Sequence, residues 1–307
     1  MKTLIFAILA VALLSTSSVW AWDGDGHMQV AEIAWKHLTA ASRARVSSLL
    51  KLNPNYPTWV AHVPAAKRRQ VAFVMAATWP DFIKSAPGYT NDGDKAPLDP
   101  ASSQNIGYAD HLMHRYWHFI DTPFSTDGTA LVPPMAPNAK TQIELFTAAI
   151  AGTATSDDIK SYDLVWLEHL VGDVHQPLHA TSRFSADLPA GDRGGNSVAL
   201  CAIPCKDELH AFWDTVLGTG KLAATAITAA DKLPAPPAAG AAIADDQAWI
   251  TESFEAAKQF AYAPPVGPGA GPYTLNAAYK LRAKTEARAR IELAGVRLAN
   301  LINANLK

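Results

Sequence analysis

The chain has only two cysteines in 307 residues. That excludes a disulfide-scaffolded mini-protein and any metal site built from three or four thiolates. The formal charge is −2 with histidine neutral, so no broad basic field is available to hold a polyanion. Beyond residue 21 no apolar run reaches the ~20 residues needed to span a bilayer. No Asn-x-Ser/Thr triplet occurs, so there is no N-glycan acceptor. Strand-like alternation is scarce. With 49% hydrophobic and 18% charged residues, the chain is neither disordered nor collagen-like. The abundant types are nine tryptophans and ten histidines.

The first 21 residues have the form of a secretory signal. Lys2 gives a positive start, Leu4 to Leu14 an apolar core, and Val19-Trp20-Ala21 small residues where a signal peptidase needs them. Cleavage there leaves Trp22 as the new N-terminus. It leaves a single domain over residues 22–307, without a membrane anchor, in a periplasm or outside the cell. In that oxidising compartment Cys201 and Cys205 are expected to form a tight local disulfide; two free thiols are the alternative.

Helical periodicity dominates the mature chain. Gln29 to Leu38, Thr141 to Ala151, Glu208 to Leu217, Asp245 to Tyr262 and Thr274 to Leu306 read as helices. Ala65 to Trp79 reads as a helix stopped by Pro80. Leu164 to Val174 reads as a buried central helix ending before Pro177. Asn196 to Ala202 supplies one arm of a small β-hairpin, and the Pro/Gly/Ala-rich stretches Leu233 to Gly240 and Ala263 to Pro272 read as loops. The expectation is one all-α domain with a small β-hairpin.

The histidines and aspartates are not scattered. His169 and Asp173 lie four apart on the apolar central helix, so an imidazole and a carboxylate face one spot. His210 and Asp214 repeat that spacing on another helix, with His179 just past Pro177. His27, Asp81 and His118 complete the group. One such pair alone reads as an ion pair or a packed core histidine. Two pairs on apolar helices point to a metal, because buried carboxylates are costly unless paired or metal-bound. Neutral imidazole with carboxylate suits zinc.

Several runs together resemble the S1/P1 nuclease family of zinc-dependent secreted nucleases. They are Trp22-Asp23-Gly24-Asp25-Gly26-His27, Trp79-Pro80-Asp81 and Trp117-His118-Phe119-Ile120-Asp121-Thr122-Pro123. His169 to His179, Asp192-Arg193-Gly194-Gly195-Asn196, Leu209 to Asp214 and Ala294 to Ala299 extend the likeness over nearly the whole mature chain. The resemblance implies a multi-helix phospholipase C/P1 nuclease-like fold and three Zn2+ ions per chain. Asp81, His118, His169 and Asp173 would hold one, and His179, His210 and Asp214 a second. His27, a bridging Asp173, and Trp22 through its free α-amino nitrogen and carbonyl oxygen would hold the third. His175 would be a structural histidine within the motif.

The implied activity is hydrolysis of single-stranded DNA and RNA to 5′-nucleotides, with 3′-nucleotides as smaller substrates, by a monomer. Asp121 is the candidate to orient the attacking water; a helix-capping role is the alternative. Asn196 is placed to contact a base by its side-chain amide, and Lys84 to line the same pocket. Phe82, Tyr89 and Phe184 are the candidate stacking rings. The family often has a basic residue soon after the Asp121 motif, where this chain has Phe124. A zinc-dependent phospholipase C is the nearest rival, although its pattern ends in Glu where this chain has Asp214. A secreted zinc-binding protein without catalysis is the other.

Overall fold

In the computed structural model, residues 22–202 and 207–306 are described. The central helix forms where Ser156, with its side-chain oxygen accepting from the Ile159 amide, caps Asp157–Asp173. Acidic Asp157 and Asp158 in its first turn suit the positive end of the helix dipole. Leu164, Val165, Trp166, Leu167, Leu170 and Val171 are all fully buried, so apolar neighbours cover this helix on every side. Its burial worth, about 1.5–3 kcal/mol per large side chain, makes it the fixed scaffold for the site.

In chain order the helices are α1 (Gly24–His37), α2 (Ala40–Leu49), α3 (Tyr56–Val60), α4 (Arg68–Ala76), α5 (Trp79–Phe82), α6 (Ala139–Ala151) and the central α7 (Asp157–Asp173). They continue with α8 (Leu209–Thr215), α9 (Ala223–Ala230), α10 (Ala238–Ala241), α11 (Asp246–Ala256) and α12 (Ala277–Asn305). Against α7 pack α1, α2, α5, α6 and α12. Helix α12 also lies tightly on α1: a Cβ on Gly295 would stand 2.5 Å from Ile33 Cβ. Edge-on contacts of Trp79 with Tyr162 and Trp166 fill the space between α5 and α7. Among the described residues, no helix is long and apolar enough to cross a membrane.

The mostly helical class agrees with the sequence, but two local expectations do not. Pro80 does not stop a helix. It sits in the first turn of α5, where a missing N–H costs nothing, so Ala65 to Trp79 divides into a 3-10 turn, α4 and the start of α5. The end of the expected Leu233 to Gly240 loop is helical instead, as the start of the short α10, Ala238–Ala241. The two-stranded sheet is a parallel pair, β1 (Pro123–Ser125) with β2 (Ser182–Phe184). Within the expected hairpin arm Asn196 to Ala202, Ala199 bridges antiparallel to Glu208, with the Leu200 amide donating to the Asp207 carbonyl and the Leu209 amide to that of Val198. Of the expected disulfide pair, Cys205 lies outside the described residues, as do residues 1–21 with the signal sequence.

Candidate metal centre and adjoining pocket

Five elements converge at one end of α7. Helix α1 brings His27, α5 brings Asp81, and the 3-10 turn Arg115–His118 brings His118. Helix α7 brings His169 and Asp173, the 3-10 turn Pro177–Ala180 brings His179, and α8 brings His210 and Asp214. All eight side chains are buried. Their donor atoms fall into three sets, each within 4.8 Å: His27, His169 and Asp173; Asp81, His118 and His169; His179, His210 and Asp214.

The first two sets share His169, and Asp173 lies against members of both. Its Oδ1 is 3.3 Å from His27 Nε2, while its Oδ2 is 3.0 Å from His118 Nδ1 and 3.3 Å from His169 Nε2. One carboxylate thus faces His27 with one oxygen and His118 and His169 with the other. Neither ring nitrogen of His27 makes a hydrogen bond, nor do His118 Nε2, Asp81 Oδ2 or Asp173 Oδ1. Such a density of orphaned buried polar atoms is costly without a further ligand. Around His118 Nδ1 the distances run from 2.9 Å to His169 Nε2 to 3.9 Å to Asp81 Oδ1. A tetrahedral zinc with bonds of about 2.0 Å would separate its ligands by about 3.3 Å.

Backbone carbonyls fix the imidazole orientations. His169 Nδ1 donates to the Ala77 carbonyl, His179 Nδ1 to that of His118 and His210 Nδ1 to that of Gly194, each at 2.7 Å. A carbonyl cannot donate, so each Nδ1 carries the proton and each Nε2 points a lone pair inward. His179 Nε2 and His210 Nε2 then face each other at 3.2 Å. Protonating His179 would relieve that, but burial holds its pKa well below the ordinary value, with His210 adding to the effect. Burial likewise depresses His118 and His169, and lowers His27 to about 4. Asp173 and Asp214 are raised well above the usual carboxylate range by burial. Neutral imidazoles facing strained carboxylates are the donor chemistry that a zinc ion fits.

Trp22 is fully buried beside this cluster. Its indole Nε1 donates to the Gly172 carbonyl at 3.1 Å, and the Asp23 amide donates to the Asp214 carbonyl at 2.9 Å. The packing requires glycine twice. A Cβ on Gly26 would sit 2.7 Å from Trp22 Cβ, and one on Gly172 would sit 2.8 Å from His27 Nδ1.

A cavity of about 390 Å³ opens from His210 and contains Asp121, Asn196, Phe119 and Phe184 in its wall. Asp121 caps no helix: the preceding 3-10 turn ends at His118 and the next helix begins at Ala139. Burial raises its carboxyl to about 7, with Asp192 adding to the rise and Arg193 and Lys95 opposing it. Asn196 Nδ2 donates to the Arg193 carbonyl at 2.6 Å. Lys84 is buried against the donor sets, with Nζ 2.7 Å from Asp81 Oδ1. Of the candidate stacking rings, Phe184 lines the cavity, Phe82 is exposed outside it, and Tyr89 packs edge-on against Trp79. Phe124 fills an aromatic cluster with Phe254 and Tyr262.

Two contributors had no role in the sequence reading. Gln176 Nε2 donates to Asp214 Oδ1 at 2.7 Å and so aims that carboxylate. Phe119 lines the cavity next to His118; its position in the Trp117 to Pro123 motif was the available signal. His175 is buried away from the donor sets, its Nδ1 donating to the Val171 carbonyl and its Nε2 accepting from Arg297 Nη1.

Comparison with known proteins bears on the same residues. Endonuclease 4 of Arabidopsis thaliana is 25% identical over 227 residues, covering 69% of this chain and 60% of that protein. Endonuclease 1 of the same plant is 27% identical over 230 residues, covering 69% and 59%. The chain therefore spans about three fifths of the length of these relatives. A model of the family described as S1/P1 Nuclease matches residues 22–307, the whole of the span that carries these donor sets. The chain belongs to the S1/P1 nuclease family.

Proposed function

We propose that this chain is a secreted or periplasmic phosphodiesterase. It would hold three zinc ions and cleave single-stranded DNA and RNA to 5′-nucleotides, with 3′-nucleotides as further substrates. The observation that carries the reading is the pair of facing Nε2 lone pairs on His179 and His210. It is supported by Asp173, whose two oxygens face His27 and His118 separately. Asp81, His118, His169 and Asp173 would hold one ion, and His179, His210 and Asp214 a second. His27, Asp173 and the amino end of Trp22 would hold the third. When bound, zinc supplies a water acidified to a pKa of about 7 and charge neutralisation at the phosphate.

The chain's own residues do the rest. The Nδ1–carbonyl bonds of His169, His179 and His210 keep those rings aimed without reorganisation. Asp121 orients water at the inner end of the cavity. Phe119 and Phe184 give apolar walls for an unstacked base, and Asn196 offers it an amide. An unpaired strand can turn a base into such a cavity, whereas a duplex keeps its bases stacked.

A zinc-dependent phospholipase C is the second reading. Val132 and Met135, both half exposed, form an apolar lip on the cavity that would also suit an acyl chain. Metal-loaded protein beginning at Trp22 is offered single-stranded DNA, RNA and phosphatidylcholine vesicles, each with and without chelator. Chelator-sensitive release of 5′-phosphorylated nucleotides supports the nuclease. Release of phosphocholine without nucleotide products replaces it with the lipase.

A further inference from the structure

Asp94 holds two guanidinium groups. Arg115 Nε lies 2.6 Å from Oδ1 and Arg193 Nη2 lies 3.0 Å from Oδ2. The two arginines differ in setting. The Arg115 side chain is buried, whereas that of Arg193 is 55% exposed and lines the cavity that His210 also lines. Lys95, also exposed, lines the same cavity.

The backbone under Arg193 is unusual. Arg193 has φ 56°, followed by Gly194 at 60° and Gly195 at 85°. The glycines adopt this left-handed region freely; an arginine does so against its own preference. The turn is held by Ser182 Oγ, which accepts from the Arg193 amide at 3.2 Å, and by the Asn196 side-chain bond to the Arg193 carbonyl. The same turn supplies the Gly194 carbonyl that orients His210. One turn therefore orients a proposed metal ligand through the Gly194 carbonyl and carries an exposed guanidinium on the wall of the same cavity.

We propose that Arg193, with Lys95 beside it, grips a phosphate of the substrate strand adjacent to the one being cleaved. This contact makes the site favour a polymer over a mononucleotide. It rests on the nuclease reading above. A guanidinium presents paired N–H donors that match phosphate oxygens. Asp94 is its partner in the free protein. Exposed ion pairs of this kind hold weakly, and Asp94 keeps Arg115 when Arg193 turns to the strand. A chain with net charge −2 gains little long-range attraction, so placed cations at the cavity mouth matter more than overall charge.

The test uses a fluorescein-labelled decathymidylate and a 3′-nucleoside monophosphate with wild-type protein, Arg193→Ala, Arg193→Lys and Lys95→Ala. Binding of the decamer is measured in chelator, where the arginine contact persists without metal, across a salt series. Kinetics on both substrates are measured with zinc. Arg193→Ala is expected to weaken decamer binding and raise its KM roughly five- to fifteenfold, as for loss of one charge-assisted contact. Its salt slope should fall by about 0.7, the single-strand value for one phosphate. Its kcat/KM should fall several-fold more on the decamer than on the mononucleotide, and that difference between the two substrates is what the contact predicts. Arg193→Lys should restore the salt slope. If Arg193→Ala depresses both substrates equally, or leaves the salt slope of a binding wild type unchanged, the contact is wrong and the nuclease reading stands. If wild type neither binds the decamer nor cleaves either substrate, the nuclease reading fails and takes the contact with it.

Discussion

His179 and His210 face each other with Nε2 atoms 3.2 Å apart, while each Nδ1 is committed to a backbone carbonyl. Two lone pairs at that distance inside the protein repel unless a cation lies between them. Local backbone geometry thus builds a preference for a metal before any ion is considered.

Metal removal is expected to destabilise the fold. A ligand bound only by the native state at 1,000 times its dissociation constant contributes about 4 kcal/mol. At about 2–4 °C per kcal/mol for a chain of this size, chelation should lower Tm by about 8–16 °C. Differential scanning calorimetry with and without chelator checks this; an unchanged Tm would contradict it.

Gln176 aims Asp214 through the 2.7 Å bond to Oδ1. Gln176→Leu keeps the bulk and removes the donor. Zinc affinity, read by competition with a chromogenic chelator, should fall about 10–100-fold, as for other residues that hold a metal ligand in place. The melting temperature of the chelated form should change far less.

Gly172 leaves room for His27. Gly172→Ala puts a methyl 2.8 Å from His27 Nδ1. Overpacking of this kind costs about 1–3 kcal/mol, and it pushes His27 away from Asp173. The expected result is loss of one zinc per chain by elemental analysis, with the ions at the other donor sets retained.

His114 governs a pH dependence outside the donor sets. Its ring stacks on Trp117 at 3.5 Å, with Nε2 2.8 Å from Asp110 Oδ2 and Nδ1 3.3 Å from Asp92 Oδ2. Burial lowers its pKa, but the hydrogen bonds and charges of Asp110 and Asp92 outweigh that and raise it overall. A raised folded-state pKa stabilises fully below the unfolded value of about 6.5 and loses that contribution as pH climbs through the folded value. His114→Ala, which strands two carboxylates, should cost about 3–5 kcal/mol. The difference from wild type in urea unfolding should be larger at pH 6 than at pH 9. An equal difference at both values would show that His114 is neutral.

The metal-ligand candidates were legible because helical spacing places His169 with Asp173, and His210 with Asp214, whatever the rest of the chain does. The buried α7 was legible from its continuous apolar run. Pro80 misled because proline ends a helix from inside but is accepted in a first turn. The β1–β2 pair joins three-residue segments 59 positions apart, too short for any periodic signal. Helix α2, capped by Thr39, buries only Ser42, Val46 and Leu49, a weak apolar stripe. The i, i+3 spacing of Asp81 and Lys84 accounts for their contact, which the resemblance alone did not indicate. The Arg193–Asp94 pair spans 99 positions and depends on a left-handed turn, which composition and pattern do not encode.

The most direct test takes protein whose N-terminus is confirmed as Trp22 and measures zinc content together with acid-soluble nucleotide release from single-stranded DNA and RNA, with and without chelator. The account predicts about three zinc per chain, from the three donor sets, and chelator-sensitive release of 5′-phosphorylated products. One zinc or none would contradict the ligand assignment, beginning with Trp22. Three zinc without cleavage of polymer or 3′-nucleotides would contradict the nuclease itself.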